Sequence, residues 1–129
     1  MSTRPEPRDS RSNSWPSRSM SLCGKTRRVA RLNRVASLIT FVRAAGTTSR
    51  AIAAWAPYDL VFANILLGPL TRLAAPLSRL AAPGAHIVLS GLLPAHANAA
   101  LAIYRAQGLV LERRIPLEGW VTLVMRRPS

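Results

Sequence analysis

The chain has 129 residues, enough for one domain, and 49% of them are apolar, so a core can form and disorder throughout is excluded. Eighteen Lys and Arg against five Asp and Glu give a net charge of +13. A single cysteine, Cys23, excludes an internal disulfide, and with only His86 and His96 beside it a Cys/His zinc site is excluded too. The longest uncharged apolar stretch, Leu60 to Thr71, is too short to span a bilayer and contains Gly68-Pro69, so no membrane partner is expected.

The charge is concentrated at the amino-terminal end. Residues 1–50 hold eleven basic and two acidic side chains; residues 51–129 hold seven and three. Met1 to Leu22 is rich in Ser, Arg and Pro and shows neither a period of two nor one of 3.6, which predicts a disordered basic tail. Such an arm could grip nucleic-acid phosphates, although Trp15 is its only aromatic residue. It could equally be a transit peptide, interrupted by Pro5, Pro7 and Pro16, or the product of GC-rich DNA read in another frame. The domain division is therefore residues 1–26 as an Arg/Ser/Pro-rich leader and residues 27–129 as a folded α/β part.

From Arg27 the pattern becomes regular. Arg27 to Ala36 predicts a short helix, and Leu38 to Ala44, β-branched and aromatic, a strand. Thr47 to Trp55 predicts a short helix stopped by Pro57. Tyr58 to Ile65 is almost continuously apolar, as in a parallel strand covered on both faces. Pro69 opens a helix whose stripe is Leu70, Leu73, Ala74, Leu77, Leu80 and Ala81, with Pro76 expected to kink it.

His86 to Ser90 predicts another buried strand. Pro94 to Gln107 predicts a helix with Leu101 and Tyr104 inward, closed by Gly108. Leu109 to Ile115 and Trp120 to Arg126 predict a closing antiparallel hairpin. Strands alternating with helices imply a parallel sheet, three strands here before the hairpin, whose ligands bind beyond the carboxyl ends of the strands. Those ends are Ala45-Gly46, Asn64-Ile65-Leu66 and Ser90-Gly91.

The run from Tyr58 to Leu70, an apolar strand ending Asn64-Ile65-Leu66 and then a Gly68-Pro69-Leu70 helix start, resembles the signature of the ribosomal protein L11 methyltransferase family. His86 to Gly91 with Leu92-Leu93, and Gly119-Trp120 with the strand after it, are similar to the family's following strand and closing hairpin. Ala30 to Leu38 resembles, more weakly, the helix and turn before its third strand.

The resemblance implies a Rossmann-like class I methyltransferase sheet, S-adenosyl-L-methionine as cofactor, L11 as partner and a cytoplasmic protein N-methyltransferase. It also implies that Asn64 orients the amine and, with Ala45 and Gly46, lies against the cofactor. Two features of the family's cofactor site are missing. No two of the seven glycines lie two apart, so there is no G-x-G, and the only acids before Leu38 are Glu6 and Asp9. The expectation is the carboxy-terminal part of such an enzyme, a fragment inactive alone; the alternative is a non-catalytic basic module for nucleic acid or the ribosome.

Other residues give weaker signals. Ser90 lacks a G-x-S-x-G setting, His86 and His96 are expected to be solvated, and Glu112 and Glu118 are expected at exposed strand and turn positions without forming an acid/base pair with each other. In the family's sheet order two missing strands separate Leu38–Ala44 from Tyr58–Ile65. Leu38–Ala44 is therefore expected to move in and cover that open edge.

Overall fold

A computed structural model describes Ser19–Leu22, Leu32, Arg34 and residues 50–129. Its elements are β1 (Ser19–Leu22), α1 (Arg50–Ala53), β2 (Tyr58–Ala63), α2 (Leu67–Arg72), α3 (Ala74–Leu80), β3 (Ala81–Leu92), α4 (Pro94–Ala106), β4 (Val110–Leu117) and β5 (Trp120–Arg126). The five strands form one sheet in the order β1-β2-β3-β5-β4. The pairs β1–β2 and β2–β3 are parallel, and β5 is antiparallel to both β3 and β4.

The period-two alternation of these strands decides which side becomes core. Val61, Ile87 and Met125 stand in register across β2, β3 and β5, as do Ala63, Leu89 and Leu123, and all six are fully buried. Leu70, Leu77, Ala97, Ala100 and Tyr104 from α2, α3 and α4 belong to the same core. Burying a Leu or Ile side chain contributes about 1.5–3 kcal/mol, so this one face supplies most of the driving force. On the other side of the sheet Phe62, Val88 and Val124 form a second registered row. Phe62 there remains 38% exposed. The expectation that this strand is covered on both faces is corrected at Phe62: among the described residues only the Val61 and Ala63 face is fully buried.

The predicted kink at Pro76 is a break. The helix divides into α2 and α3 at Leu73. Proline lacks the N–H that would bond to the carbonyl of residue 72, and its ring crowds that carbonyl, which is where α2 stops. Pro69 lies in the first turn of α2, where its missing N–H would have had no partner in any case. Helix α4 ends as the sequence indicates: Gln107 caps it and Gly108 follows at φ +85°.

The amino-terminal expectations need a larger correction. Within the presumed leader, Ser19–Leu22 forms β1 and runs parallel to Leu60–Ala63 of β2. Met20 packs against the core. The edge expected to receive Leu38–Ala44 is thus held by β1, because any short segment with free backbone groups can satisfy an open parallel edge. Leu38–Ala44 itself, most of the Arg27–Ala36 helix, residues 1–18 and residues 23–26 lie outside the described residues.

Candidate active site

The parallel strands β2 and β3 both end at the same rim of the sheet, and the chain leaves each in a different way. After β2, Asn64, Ile65 and Leu66 form a short link before α2 begins at Leu67. At the end of β3, Gly91 adopts φ +75° beside a register shift between Leu89 and Leu92. The third contributor is Trp120 at the start of β5, next to Val121, the register partner of Leu92. Asn64, Ile65, Leu66, Gly91 and Trp120 line a cleft of about 420 Å³.

Gly91 is required here for two separate reasons. Its positive φ disfavours an L side chain, and a β-carbon built on it would lie 2.5 Å from Asn64 Oδ1. The glycine lets the Asn64 amide occupy the space beside the strand end. Trp120 is positioned by a two-residue turn: Leu117 pairs with Trp120, and Glu118 and Gly119 have φ +49° and +82°. Two consecutive positive φ values are the mark of a type I′ hairpin, whose twist matches that of the flanking strands.

Two buried tyrosines tie neighbouring elements together. Tyr104 Oη on α4 donates to the Leu70 carbonyl on α2 over 2.9 Å. Tyr58 Oη at the start of β2 donates to the Ile52 carbonyl over 2.7 Å. Burial pushes the phenol pKa of both up, that of Tyr104 further.

Of the residues expected from sequence, Asn64 lies in the cleft, while Ala45 and Gly46 are outside the described residues. Gly91 was legible only as a strand end, and Trp120 only as part of the closing hairpin. The signal available for both was adjacency of two parallel strand ends to the first residue of β5, which requires knowing the sheet order.

Two further sets of polar side chains are paired or hydrogen-bonded. His86 Nε2 on β3 and Glu112 Oε2 on β4 are 2.8 Å apart, so these side chains pair across the intervening β5. His86 sits opposite Leu60, whereas Ala63 is the last β2 residue before Asn64, so the pair belongs to the sheet body and not to the cleft. Among the arginines, Arg114 donates to Asn98 Oδ1 over 2.7 Å and Arg127 to the carbonyls of Ser78 and Ala81. Those guanidinium groups hold the fold's own elements together. Among the described residues there is no group of three or more His, Cys, Asp or Glu that could hold a metal, and no helix long and apolar enough to cross a membrane.

The described lining of the cleft does not by itself fit S-adenosyl-L-methionine. Among the described residues no carboxylate lines it to receive ribose hydroxyls, and no G-x-G occurs in the sequence to admit the cofactor's methionine end. The described lining offers an amide oxygen, two aliphatic side chains and an indole.

The model of the family described as ribosomal protein L11 methyltransferase (PrmA) matches residues 24–128. The ribosomal protein L11 methyltransferase of Rhodopseudomonas palustris is 48% identical over 98 residues, covering 76% of this chain and 33% of that protein. That of a Caulobacter species is 41% identical over 88 residues, covering 68% of this chain and 31% of that protein. The chain thus spans about a third of the length of the curated relatives it matches.

Among solved structures, the ribosomal protein L11 methylase of Lactobacillus delbrueckii subsp. bulgaricus superposes with a TM-score of 0.72 at 16% identity, covering 86% of this chain and 57% of that one. A Salinibacter ruber RNA methyltransferase in complex with S-adenosyl-L-homocysteine gives 0.57 at 19% identity, covering 81% and 58%. At such identities the structural matches establish a methyltransferase-like α/β fold, while the sequence matches establish kinship. This chain belongs to the ribosomal protein L11 methyltransferase family.

Proposed function

We propose that the chain carries the acceptor side of an S-adenosyl-L-methionine-dependent protein N-methyltransferase acting on ribosomal protein L11, and that it does not complete methyl transfer alone. The observation that carries this reading is the placement of Asn64 in the rim cleft, with Gly91 leaving room for its amide oxygen. An amine becomes a nucleophile only when its lone pair is free, and an α-amine or lysine is mostly protonated at neutral pH. An amide oxygen at this position can accept an amine hydrogen and so fix the direction of the lone pair. That is catalysis by orientation, and it acts only on reactants already held together.

The second half of the proposal rests on what surrounds Asn64. The cofactor's sulfonium and amine are positive, and a net charge of +13 offers it no long-range attraction. Losing several polar contacts of about 1–3 kcal/mol each moves a micromolar site beyond millimolar. Calorimetric titration with S-adenosyl-L-methionine is expected to show no saturable micromolar binding, and incubation with L11 and labelled cofactor no incorporation. Micromolar binding weakened by Asn64→Ala would overturn the inactivity and restore a self-sufficient enzyme.

A further inference from the structure

We propose that the β2 edge is a strand-exchange surface whose partner is a second copy of this chain, which contributes its own Ser19–Leu22 in place of the first copy's. Strand β1 stands last in the sheet order, so it can leave without breaking the pairing of β2 with β3. Its parallel ladder matches Ser19, Met20, Ser21 and Leu22 with Leu60, Val61, Phe62 and Ala63. Met20, in register with the fully buried Val61, is partly buried and packs against the core. The exchange surface shares no residue with the cleft.

The same four residues from another molecule make the same ladder and bring the same methionine to the core. The stability that β1 contributes is therefore common to the closed monomer and the exchanged dimer, and it cancels between them. What remains first is the advantage of pairing within one molecule. Residues 23–49 lead from β1 to α1. A stretch of that length can reach on the order of 80 Å when extended, against about 5 Å between neighbouring strands, so the connection does not select which molecule supplies β1. Such a link corresponds to an effective concentration on the order of millimolar, and exchange becomes populated as the protein approaches it.

Charge is the second quantity. Each copy carries +13, and residues 1–50, which deliver β1, hold eleven of the eighteen basic side chains. Two copies therefore repel each other at low ionic strength. The screening length falls from about 30 Å at 0.01 M salt to about 3 Å at 1 M, so salt should promote the exchange, whereas a dimer held by ion pairs would weaken.

The test mixes carbon-13-labelled and unlabelled full-length chain and follows isotope-filtered NOEs by NMR, with small-angle scattering for mass. Near 1 mM protein in high salt, about half the chains are expected in dimers showing contacts between Met20 of one copy and Val61 of the other, against a few per cent near 10 µM. Lowering the salt should reduce the dimer. Met20→Asp places a charge against the core and is expected to abolish the dimer when both copies carry it. A labelled Met20→Asp chain should still accept β1 from unlabelled wild type, moving the backbone resonances of Leu60–Ala63. A monomer under all these conditions, a dimer without Met20–Val61 contacts between copies, a dimer lost as salt rises, or one that survives Met20→Asp in both copies would each overturn the proposal. The wild-type mixing experiment needs no variant, so it decides even if Met20→Asp folds poorly.

Discussion

The amide oxygen of Asn64 stands where a side chain on residue 91 would have to begin. A β-carbon on Gly91 would be 2.5 Å from Asn64 Oδ1, at a residue whose φ is +75°. The two positions are consequently coupled through space although they sit on different strand ends. Gly91→Ala is expected to cost about 1–2 kcal/mol from the left-handed backbone alone, with a further contribution from displacing the Asn64 amide.

A double-mutant cycle separates these contributions. With Asn64→Ala in place, the displaced amide is gone and only the backbone cost remains, so Gly91→Ala should be less costly there by about 0.5–1 kcal/mol. Urea unfolding of the four proteins measures this. An identical cost in both backgrounds would show that Asn64 swings aside freely.

Legibility from sequence followed the range over which each signal acts. The link Asn64-Ile65-Leu66 and the helices at Leu67 and Pro94 carry local signals: a short apolar strand, proline in a first turn, a glycine after a last one. The hairpin β4–β5 was legible in the same way. The closeness of Gly91 and Trp120 to Asn64 depends on sheet order, which no local pattern encodes. Strand β1 was missed because Ser-Met-Ser-Leu has weak periodicity, and its placement comes from the open edge of β2 it satisfies. The His86–Glu112 pair was missed because a register shift between Leu111 and Arg113 decides where Glu112 lies.

Of the two central residues of the turn between Leu117 and Trp120, Glu118 is the one that is not glycine, held at φ +49°. Asparagine tolerates that region better than glutamate and is the favoured first residue of a type I′ turn before glycine. Glu118→Asn is expected to stabilise the protein by about 0.5–1 kcal/mol in urea unfolding. A destabilised variant would mean that the Glu118 side chain makes a contribution the turn geometry does not account for.

Arg127 closes the end of α3 from the far end of the chain. Its Nη1 donates to the carbonyl of Ser78 at 3.2 Å and to that of Ala81. Its backbone extends the β3–β5 pairing through hydrogen bonds with Gly84 and Ala85. The last carbonyls of a helix have no intrahelical partner, so the guanidinium satisfies groups that would otherwise need water. Arg127→Met keeps the aliphatic stem and loses the donors, and is expected to cost about 1–3 kcal/mol. Arg127→Lys should recover only part of it, because an ammonium lacks the planar fork. A stability within 0.3 kcal/mol of wild type for the Met variant (about the error of the method) would show that water replaces the guanidinium at no cost.

Tyr104 links the helix over the core to the helix that follows Asn64, and its ionisation gives a pH signature for that link. Tyr104→Phe leaves the buried Leu70 carbonyl without its donor and is expected to cost about 1–2 kcal/mol at neutral pH. In the folded state burial raises the pKa of Tyr104, and to a smaller extent that of Tyr58. Unfolded tyrosine loses its proton near pH 10. Below that pH both states hold the proton and the stabilisation is complete; above it the unfolded chain releases protons that the folded one retains. Stability therefore falls as pH rises, by up to about 1.4 kcal/mol per pH unit for each such tyrosine. Phenylalanine does not ionise, so the stability gap between wild type and Tyr104→Phe should narrow from pH 9 to pH 11. Urea unfolding at those two values decides the matter: a gap that stays constant would place the Tyr104 hydroxyl in water rather than against the Leu70 carbonyl.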